Sequence, residues 1–143
     1  MPQAIFVNLP VADLARSVAF YKAVGAEQNM QFSDETAAMM RFSEAINVML
    51  LTHDKFRQFT DKPFADPKEW AQVLLALSCD SREGVDEIAE SALAAGGSEV
   101  HGGEDYGWMY SRAFADPDGH GWGPVWMDVA AATEAMAEAP AAA

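Results

Sequence analysis

The chain has 143 residues, of which 50% are hydrophobic and 22% are charged, so it is long enough to bury a core without disulfides or a structural metal. Its 9 Lys and Arg residues stand against 22 Asp and Glu residues, and the net charge of −13 argues against nucleic acid and anionic membranes as partners. A single cysteine, Cys79, excludes an internal disulfide, and no apolar run approaches the ~18 residues of a membrane span, so we expect a soluble, cytoplasmic protein.

The first half of the chain predicts a strand, a helix and three further strands. Residues 5–9 form a β-rich run that stops at Pro10. Asp13 follows as a helix N-cap, apolar residues then recur at helical spacing, and Gly25 ends the helix. The three later strands are predicted over residues 29–32, 37–42 and 46–52.

A polar segment and a linker separate this half from the next. Residues 53–60 carry Phe56 and Phe59 three positions apart, which predicts a short surface helix. Residues 62–68 contain two prolines, which predicts a linker.

The second half repeats the order strand, helix, glycine and further strands. A strand is predicted at residues 73–79, and a capping box at 80–83 begins a helix that Gly96 ends. A Gly-rich and aromatic-rich loop is expected at residues 102–108 and a turn at 116–119. The remaining strands are predicted over residues 99–101, 109–115 and 121–127.

The repeated order predicts an α+β fold built from two βαβββ modules. The modules cover about residues 1–62 and 70–128, within a single domain of residues 1–128. We expect a curved mixed sheet around a cleft, with helices on the outer faces. Residues 129–143 are alanine-rich and are expected to form a frayed helix or tail.

Three stretches of the chain carry a resemblance to a known family. They are VADLARSVAFY at residues 11–21, ALSCD at 76–80 and FADPDGH at 114–120. On these stretches the chain resembles the glyoxalase/bleomycin-resistance/extradiol-dioxygenase superfamily, also called vicinal oxygen chelate, over roughly residues 4–128. It looks most like a bacterial branch often described as predicted lactoylglutathione lyases. The resemblance implies the two-module fold and a homodimer in which modules pair across chains.

The resemblance also implies a divalent metal, but its ligand positions do not match. In metal-binding members, the first strand and the last strand of each module each supply one ligand, which is His, Gln or Glu. Aligned on the stretches above, these positions fall on Phe6, near Leu50, and on Leu74 and Gly123, none of which offers a side-chain donor. We therefore predict no metal at this site and no cofactor.

Strand alternation selects Asn8 as a ligand-binding candidate. If Phe6 faces the cleft, Asn8 faces it too, and its amide could hold a carbonyl or hydroxyl group. The alternative is a bond to backbone near Pro10. On the last strand Gly121 and Gly123 share the inward parity, which opens room for a flat ligand or, alternatively, marks a bulge.

An aromatic loop and an arginine supply the other candidates. Tyr106, Trp108 and Tyr110 offer apolar area with polar ends, which suits a small-molecule pocket or, alternatively, a dimer interface. Arg112 has the same parity as Tyr110 and could anchor an anion. The alternative for Arg112 is a salt bridge to a protein carboxylate. We predict that these residues and Asn8 line one cleft for a small, partly apolar, anionic molecule.

The sequence favours a metal-free small-molecule-binding protein of this superfamily. The alternatives are a metal-dependent lyase or isomerase of the glyoxalase I kind, a related dioxygenase-type enzyme, and an enzyme that uses Tyr106, Tyr110 or His120 as acid or base without metal. His53, His101 and His120 have no ligand spacing, and a metal site of another kind built from them stays open. The identity of the ligand also stays open.

Overall fold

The computed structural model describes residues 3–138. The first module consists of β1 (Ile5–Val11), α1 (Leu14–Ala23), β2 (Glu27–Asn29), β3 (Ala37–Arg41) and β4 (Ile46–Thr52). After α2 (His53–Arg57) and a linker, the second module consists of β5 (Leu74–Ser78), α3 (Arg82–Ala94), β6 (Ser98–Asp105), β7 (Met109–Ala115) and β8 (Gly121–Met127). Helix α4 (Val129–Glu138) follows, and the rest of the predicted tail, residues 139–143, lies outside the described part.

Three local predictions differ from the structure. The capping box expected at residues 80–83 is not formed, because Ser81 Oγ accepts the backbone N–H of Gly84 (3.0 Å) and caps α3 one residue later. The strand expected at residues 29–32 is a 3-10 turn at Met30–Phe32, because the Asn29 side chain accepts the backbone N–H of Gln31 (3.1 Å) and caps the turn. The strand expected at residues 99–101 is longer, and β6 runs on to Asp105 through two register shifts against β7.

Each module forms its own four-stranded sheet. The strand order is β1-β4-β3-β2 in the first sheet and β5-β8-β7-β6 in the second. The β1–β4 and β5–β8 pairs are parallel and the others are antiparallel, so both sheets are mixed. The predicted α+β class and the two βαβββ modules are confirmed. Within residues 3–138 the β-structure is divided into two open sheets that share no strand pairing.

The helix-bearing faces of the two sheets meet in one core. From α1, the Phe20 ring contacts Phe114 of β7 (centroids 6.0 Å apart), and the Tyr21 ring contacts Trp122 of β8 (5.8 Å). Phe42, just after β3, also contacts Trp122 (5.6 Å). Helices α1 and α3 touch each other. The opposite face of each sheet therefore points away from the shared core, and we call these two surfaces the open faces.

A buried polar network fixes the two modules to each other. The Tyr21 hydroxyl donates to Asp116 Oδ2 (2.6 Å) and accepts from Trp122 Nε1 (3.0 Å). Asp118 accepts from the Ala12 backbone N–H (2.8 Å) and from Ser17 Oγ (3.3 Å). These bonds join the helix of the first module to the 116–119 turn of the second, two of the stretches that carry the resemblance. Such satisfied buried groups fix orientation as well as adding stability.

No helix of residues 3–138 has both the length and the apolar character that a membrane crossing needs.

Candidate functional site

Asn8 lies on the open face of the first sheet. Alternation along β1 sends Val7 and Leu9 to the core, whereas Phe6, which is 50% exposed, and Asn8 point the other way. The alternative bond from Asn8 to backbone near Pro10 is not formed among the described residues. The Pro10 carbonyl accepts instead from His120 Nε2 (2.8 Å). The Asn8 amide is exposed and remains available for a ligand.

The open face of the second sheet carries small and apolar residues. Leu74 is 80% exposed, and its register partner in β8 is Gly121; Ala76 is paired with Gly123 in the same way. The β5–β8 and β7–β8 registers run without a shift through both glycines, so the bulge interpretation does not apply. At Gly123 an added Cβ would meet only the Arg112 carbonyl oxygen, at 3.5 Å, so this part of the face has room above it.

The alignment of Leu50 with a metal position needs a correction. Leu50 is fully buried in the shared core, because its parity in β4 matches that of Val48 and not that of the open face. The residues of β4 with the opposite parity include Met49, which lies beside Asn8 in the strand register. A methionine thioether is not a ligand for the divalent ions of this family's site.

The structure does not bring Tyr110 and Arg112 to an open face. Both share parity with Trp122 and point towards α3, opposite to Gly121 and Gly123. The prediction that Tyr110 and Arg112 lie on the same side of the strand was correct. The side is the one that faces α3, and not the open face on which the predicted cleft lies. Which side a strand turns to its helix is decided by packing of the whole module.

Both side chains are bound to carboxylates of the second module. The Tyr110 hydroxyl donates to Asp86 Oδ1 (2.7 Å), a bond that lowers the pKa of Asp86. Arg112 Nη1 donates to Glu90 (2.8 Å) and Asp86 (3.2 Å), and Nη2 donates to Glu99 (3.4 Å). The bonds to Glu90 and Asp86 raise the pKa of Arg112, with the Glu90 bond as the largest cause. The salt-bridge alternative for Arg112 is therefore the one that the structure supports.

Tyr106 and Trp108 lie at the tip of the β6–β7 hairpin. Their rings stack with centroids 6.0 Å apart, and Tyr106 is 58% exposed. Arg82, which sequence reasoning did not select, donates to the Gly107 carbonyl (2.8 Å) and lies over the Trp126 ring, 4.9 Å from its centroid. Arg82 also pairs with Asp105. The loop is thereby fixed to the start of α3, and its contact with a ligand stays a prediction.

A large cavity lies between the linker and the second module. It has a volume of about 1010 Å³, at the upper end of the range of roughly 300–1,000 Å³ typical of small-molecule sites. We call it the linker cavity. Leu74 and Gly121 belong both to its lining and to the open face, so the cavity continues onto that face. Three aromatic side chains line it, those of Phe56, Phe64 and Trp70, together with several prolines. Polar lining residues include Thr60, Lys62, Lys68, Gln72, Ser98 and His120.

Two contacts hold the linker in place. The Phe64 ring packs against His53 (centroids 5.3 Å apart) and Phe56 (5.0 Å) of α2. Further along, the backbone of Lys68 lies directly on the 116–119 turn. A Cβ added to Gly119 would come within 2.6 Å of Lys68 N, so only glycine permits this approach. The linker is thus a fixed wall of the cavity.

The three histidines do not come together. His53 packs on Phe64, His101 Nδ1 lies 2.9 Å from the Gly102 carbonyl, and His120 bonds to Pro10. Within residues 3–138, no group of three His, Cys, Asp or Glu side chains is placed to hold a metal ion. Phe6, Leu74 and Gly123, the open-face residues to which the sequence alignment assigns ligand positions, carry no side-chain oxygen, nitrogen or sulfur atom.

Sequence reasoning missed the linker as part of a site. Lys62 and Lys68 lie in the segment predicted to be a linker, and Trp70 lies outside every predicted helix, strand and linker. A signal was present, since a segment with lysines, prolines and a tryptophan is unusual in so acidic a chain. Their convergence depends on contacts with residues 119–121, about fifty positions away in the sequence, which no local pattern contains.

Comparison with known proteins gives a family and a set of similar structures. The model of the Glyoxalase/Bleomycin resistance protein/Dioxygenase superfamily matches residues 4–123. No curated protein matches the chain.

Among solved structures, a hypothetical protein from S. aureus is 26% identical, with a TM-score of 0.74, covering 88% of this chain and 94% of that one. A glyoxalase-related enzyme from Fulvimarina pelagi is 19% identical, with a TM-score of 0.74 and coverage of 88% of both chains. A fosfomycin resistance protein from Mesorhizobium loti is 15% identical, with a TM-score of 0.67, covering 93% of this chain and 98% of that one. The similarity to the Fulvimarina pelagi and Mesorhizobium loti proteins concerns the fold alone.

Proposed function

Because the chain belongs to the glyoxalase/bleomycin resistance protein/dioxygenase superfamily, we propose that it binds a small molecule without the metal ion used by the family's metal-dependent members. The linker cavity carries this proposal. Its volume of about 1010 Å³ and its aromatic lining suit a small organic ligand. The bound molecule would extend from the cavity onto the open face beside Leu74 and Gly121.

The donor set supports binding without metal. Phe6, Leu74 and Gly123 lie on the open faces at the aligned family positions, and their side chains carry no oxygen, nitrogen or sulfur atom. A divalent ion held at such a site needs three or four side-chain ligands, so a single substitution or a one-residue shift in alignment does not create one.

Elemental analysis of the purified protein tests this proposal against a metal-dependent lyase, isomerase or dioxygenase-type enzyme. After incubation with zinc, nickel or ferrous ion and desalting, we expect far less than one equivalent of metal per chain. Gly123→Glu should behave in the same way, because one carboxylate does not make a site. The neutral probe 2-naphthalenemethanol should bind with the same Kd with and without EDTA. Near-stoichiometric metal, or binding that EDTA abolishes, would contradict the proposal.

We also propose a homodimer in which each binding cleft is shared. The two open faces point away from the core of one chain, so a cleft bounded by both needs a second copy. The exposure of Leu74 (80%) and Phe6 (50%) supports this, since large apolar side chains exposed on sheet faces mark interaction surfaces. In this arrangement Asn8 of one copy faces the second module of the other. Tyr106 and Trp108 are proposed to contact the ligand at the rim.

A further inference from the structure

The exposed charged residues that line the linker cavity are all basic. Its lining includes one acidic residue, Asp116, and that carboxylate is 3% exposed and already bonded. Oδ2 accepts from Tyr21, and Oδ1 accepts from the backbone N–H groups of Asp118, Gly119 and His120 (2.8–3.0 Å). The other charged residues of the lining are Lys62 and Lys68, and both are exposed.

Neither ammonium is neutralised by the protein. The ion pairs found among residues 3–138 are all made by arginine, so Lys62 and Lys68 take part in none of them. Asp66 is near Lys68 in sequence, and its carboxylate accepts the backbone N–H of Lys68 (3.0 Å) without forming an ion pair with its ammonium. Both residues also line a neighbouring groove, of which Lys62 is not a part. In a chain with a net charge of −13, two lysines stand against one buried aspartate in the lining of this cavity, and Asp61, Asp66 and Glu69 of the same segment are not part of that lining.

The apolar part of the lining fits a ring system. Trp70 lies at the cavity with 67% of its surface exposed, and Phe56 and Phe64 line another part of the wall. An aromatic molecule that covers Trp70 removes apolar surface from water and gains ring contacts. His120 adds a polar atom: since a carbonyl can only accept, its Nε2 carries the proton donated to Pro10, which leaves Nδ1 for another partner.

We propose that the linker cavity selects aromatic anions, with Lys62 and Lys68 recognising the anionic group and Trp70 covering the ring. This inference rests on the proposed binding function and names the chemical class of its ligand. Lysine contacts an anion as a point charge on a flexible stem, so the site selects for charge and apolar body more than for the geometry of the anion. The acidic surface around the cavity would at the same time repel anions from other parts of the molecule.

Calorimetric titration with three matched probes tests the inference. The probes are 2-naphthoate, 2-naphthalenemethanol and 2-naphthylmethylammonium, which share a ring system and differ in charge. The full chain should bind the anion at least about tenfold more tightly than the neutral probe, and the cation most weakly, since a hydrogen bond to a charged group corresponds to about that factor or more. The double variant Lys62→Gln/Lys68→Gln should lose this preference while keeping its affinity for the neutral probe.

A second double variant separates local recognition from net charge. Lys22→Gln/Arg41→Gln removes the same two positive charges from exposed positions outside the linker cavity. It should retain the preference for 2-naphthoate. Equal losses in both double variants would overturn the assignment to Lys62 and Lys68. Equal affinities of the unaltered protein for the anionic and neutral probes would overturn charge selection and leave the binding function standing, whereas absence of binding by all three probes would contradict the binding function itself.

Discussion

Tyr21 is the residue on which the contact between the modules depends most. Its hydroxyl is a donor to Asp116 and an acceptor for Trp122, and both partners are buried. Burial, followed by the charge of Asp116, raises the pKa of the Tyr21 phenol well above its ordinary value, so the group stays a neutral donor. A buried carboxylate and a buried indole thus share one hydroxyl.

Replacing Tyr21 with Phe should therefore cost more than the loss of one hydrogen bond. Two buried polar groups would lose their partner, and we expect the free energy of unfolding in urea to fall by about 1–3 kcal/mol. Tyr110→Phe is the matched control, because it deletes the same atom from a tyrosine–aspartate bond whose Asp86 side chain is 50% exposed. The free energy of unfolding should fall by less in Tyr110→Phe than in Tyr21→Phe. Equal decreases in the two variants would argue against the role given to Tyr21.

At the scale of elements, the linker shows how a connecting segment becomes part of a site. Phe64 fixes it to α2, and the close approach of Lys68 to Gly119 fixes it to the turn before β8. These two contacts hold the segment that carries Lys68, with Lys62 just before the first contact and Trp70 just after the second. Displacing the segment should change the cavity without altering either sheet.

Gly119→Ala is predicted to displace the linker. The residue has a φ of +109°, and an added Cβ would collide with the backbone of Pro67 and Lys68. Gly25→Ala is the control, since Gly25 has nearly the same φ (+110°) with nothing within 4 Å of the added atom. Both variants carry backbone strain, but only the Gly119 variant adds a collision. Its free energy of unfolding in urea should therefore fall by about 1–3 kcal/mol more than that of the Gly25 variant, and it should bind naphthyl probes more weakly. Similar behaviour of the two would show that the linker contact contributes little.

Local signals in the sequence predicted the positions of the helices and strands better than they predicted which face of a sheet a side chain lies on. The capped helix α1 and most of the apolar strands follow from residues within a few positions and form close to their predicted bounds, whereas the cap of α3 lies at Ser81 and not at residue 80. Arg112 and Tyr110 were given the correct relative parity, but the face they share is set by packing of α3 against β7. The linker cavity was not predicted, because Lys62, Trp70 and His120 converge only through tertiary contacts. Contact between Asn8 and a ligand stays a prediction.

At the scale of the whole molecule, the shared core determines which surfaces remain for a partner. The helix-bearing faces satisfy each other within one chain, so the two open faces are left with Phe6 and Leu74 exposed. Burying these faces requires another molecule. We propose a second copy, because the open face of the first module in one chain can then lie against the open face of the second module in the other.

Light scattering at micromolar concentration should give twice the chain mass of 15.5 kDa. Leu74→Glu should shift the protein to monomer, because the interface would have to bury an unpaired carboxylate. The control Met136→Glu places the same charge at a residue of α4 that is 67% exposed and belongs to neither sheet, and it should remain dimeric. A monomeric unaltered protein, or dissociation of both variants alike, would contradict the shared cleft.

The Tyr21–Asp116 bond joins residues 95 positions apart, and this distance has a consequence for the growing chain. While the first module leaves the ribosome, Phe20 and Tyr21 have neither Phe114 nor Trp122 to pack against. The aromatic surface of α1 therefore stays open to water, and to other nascent chains, until most of the second module has been synthesised. The joining of the two modules during synthesis, rather than the folding of either one, would then be the step that chaperones protect.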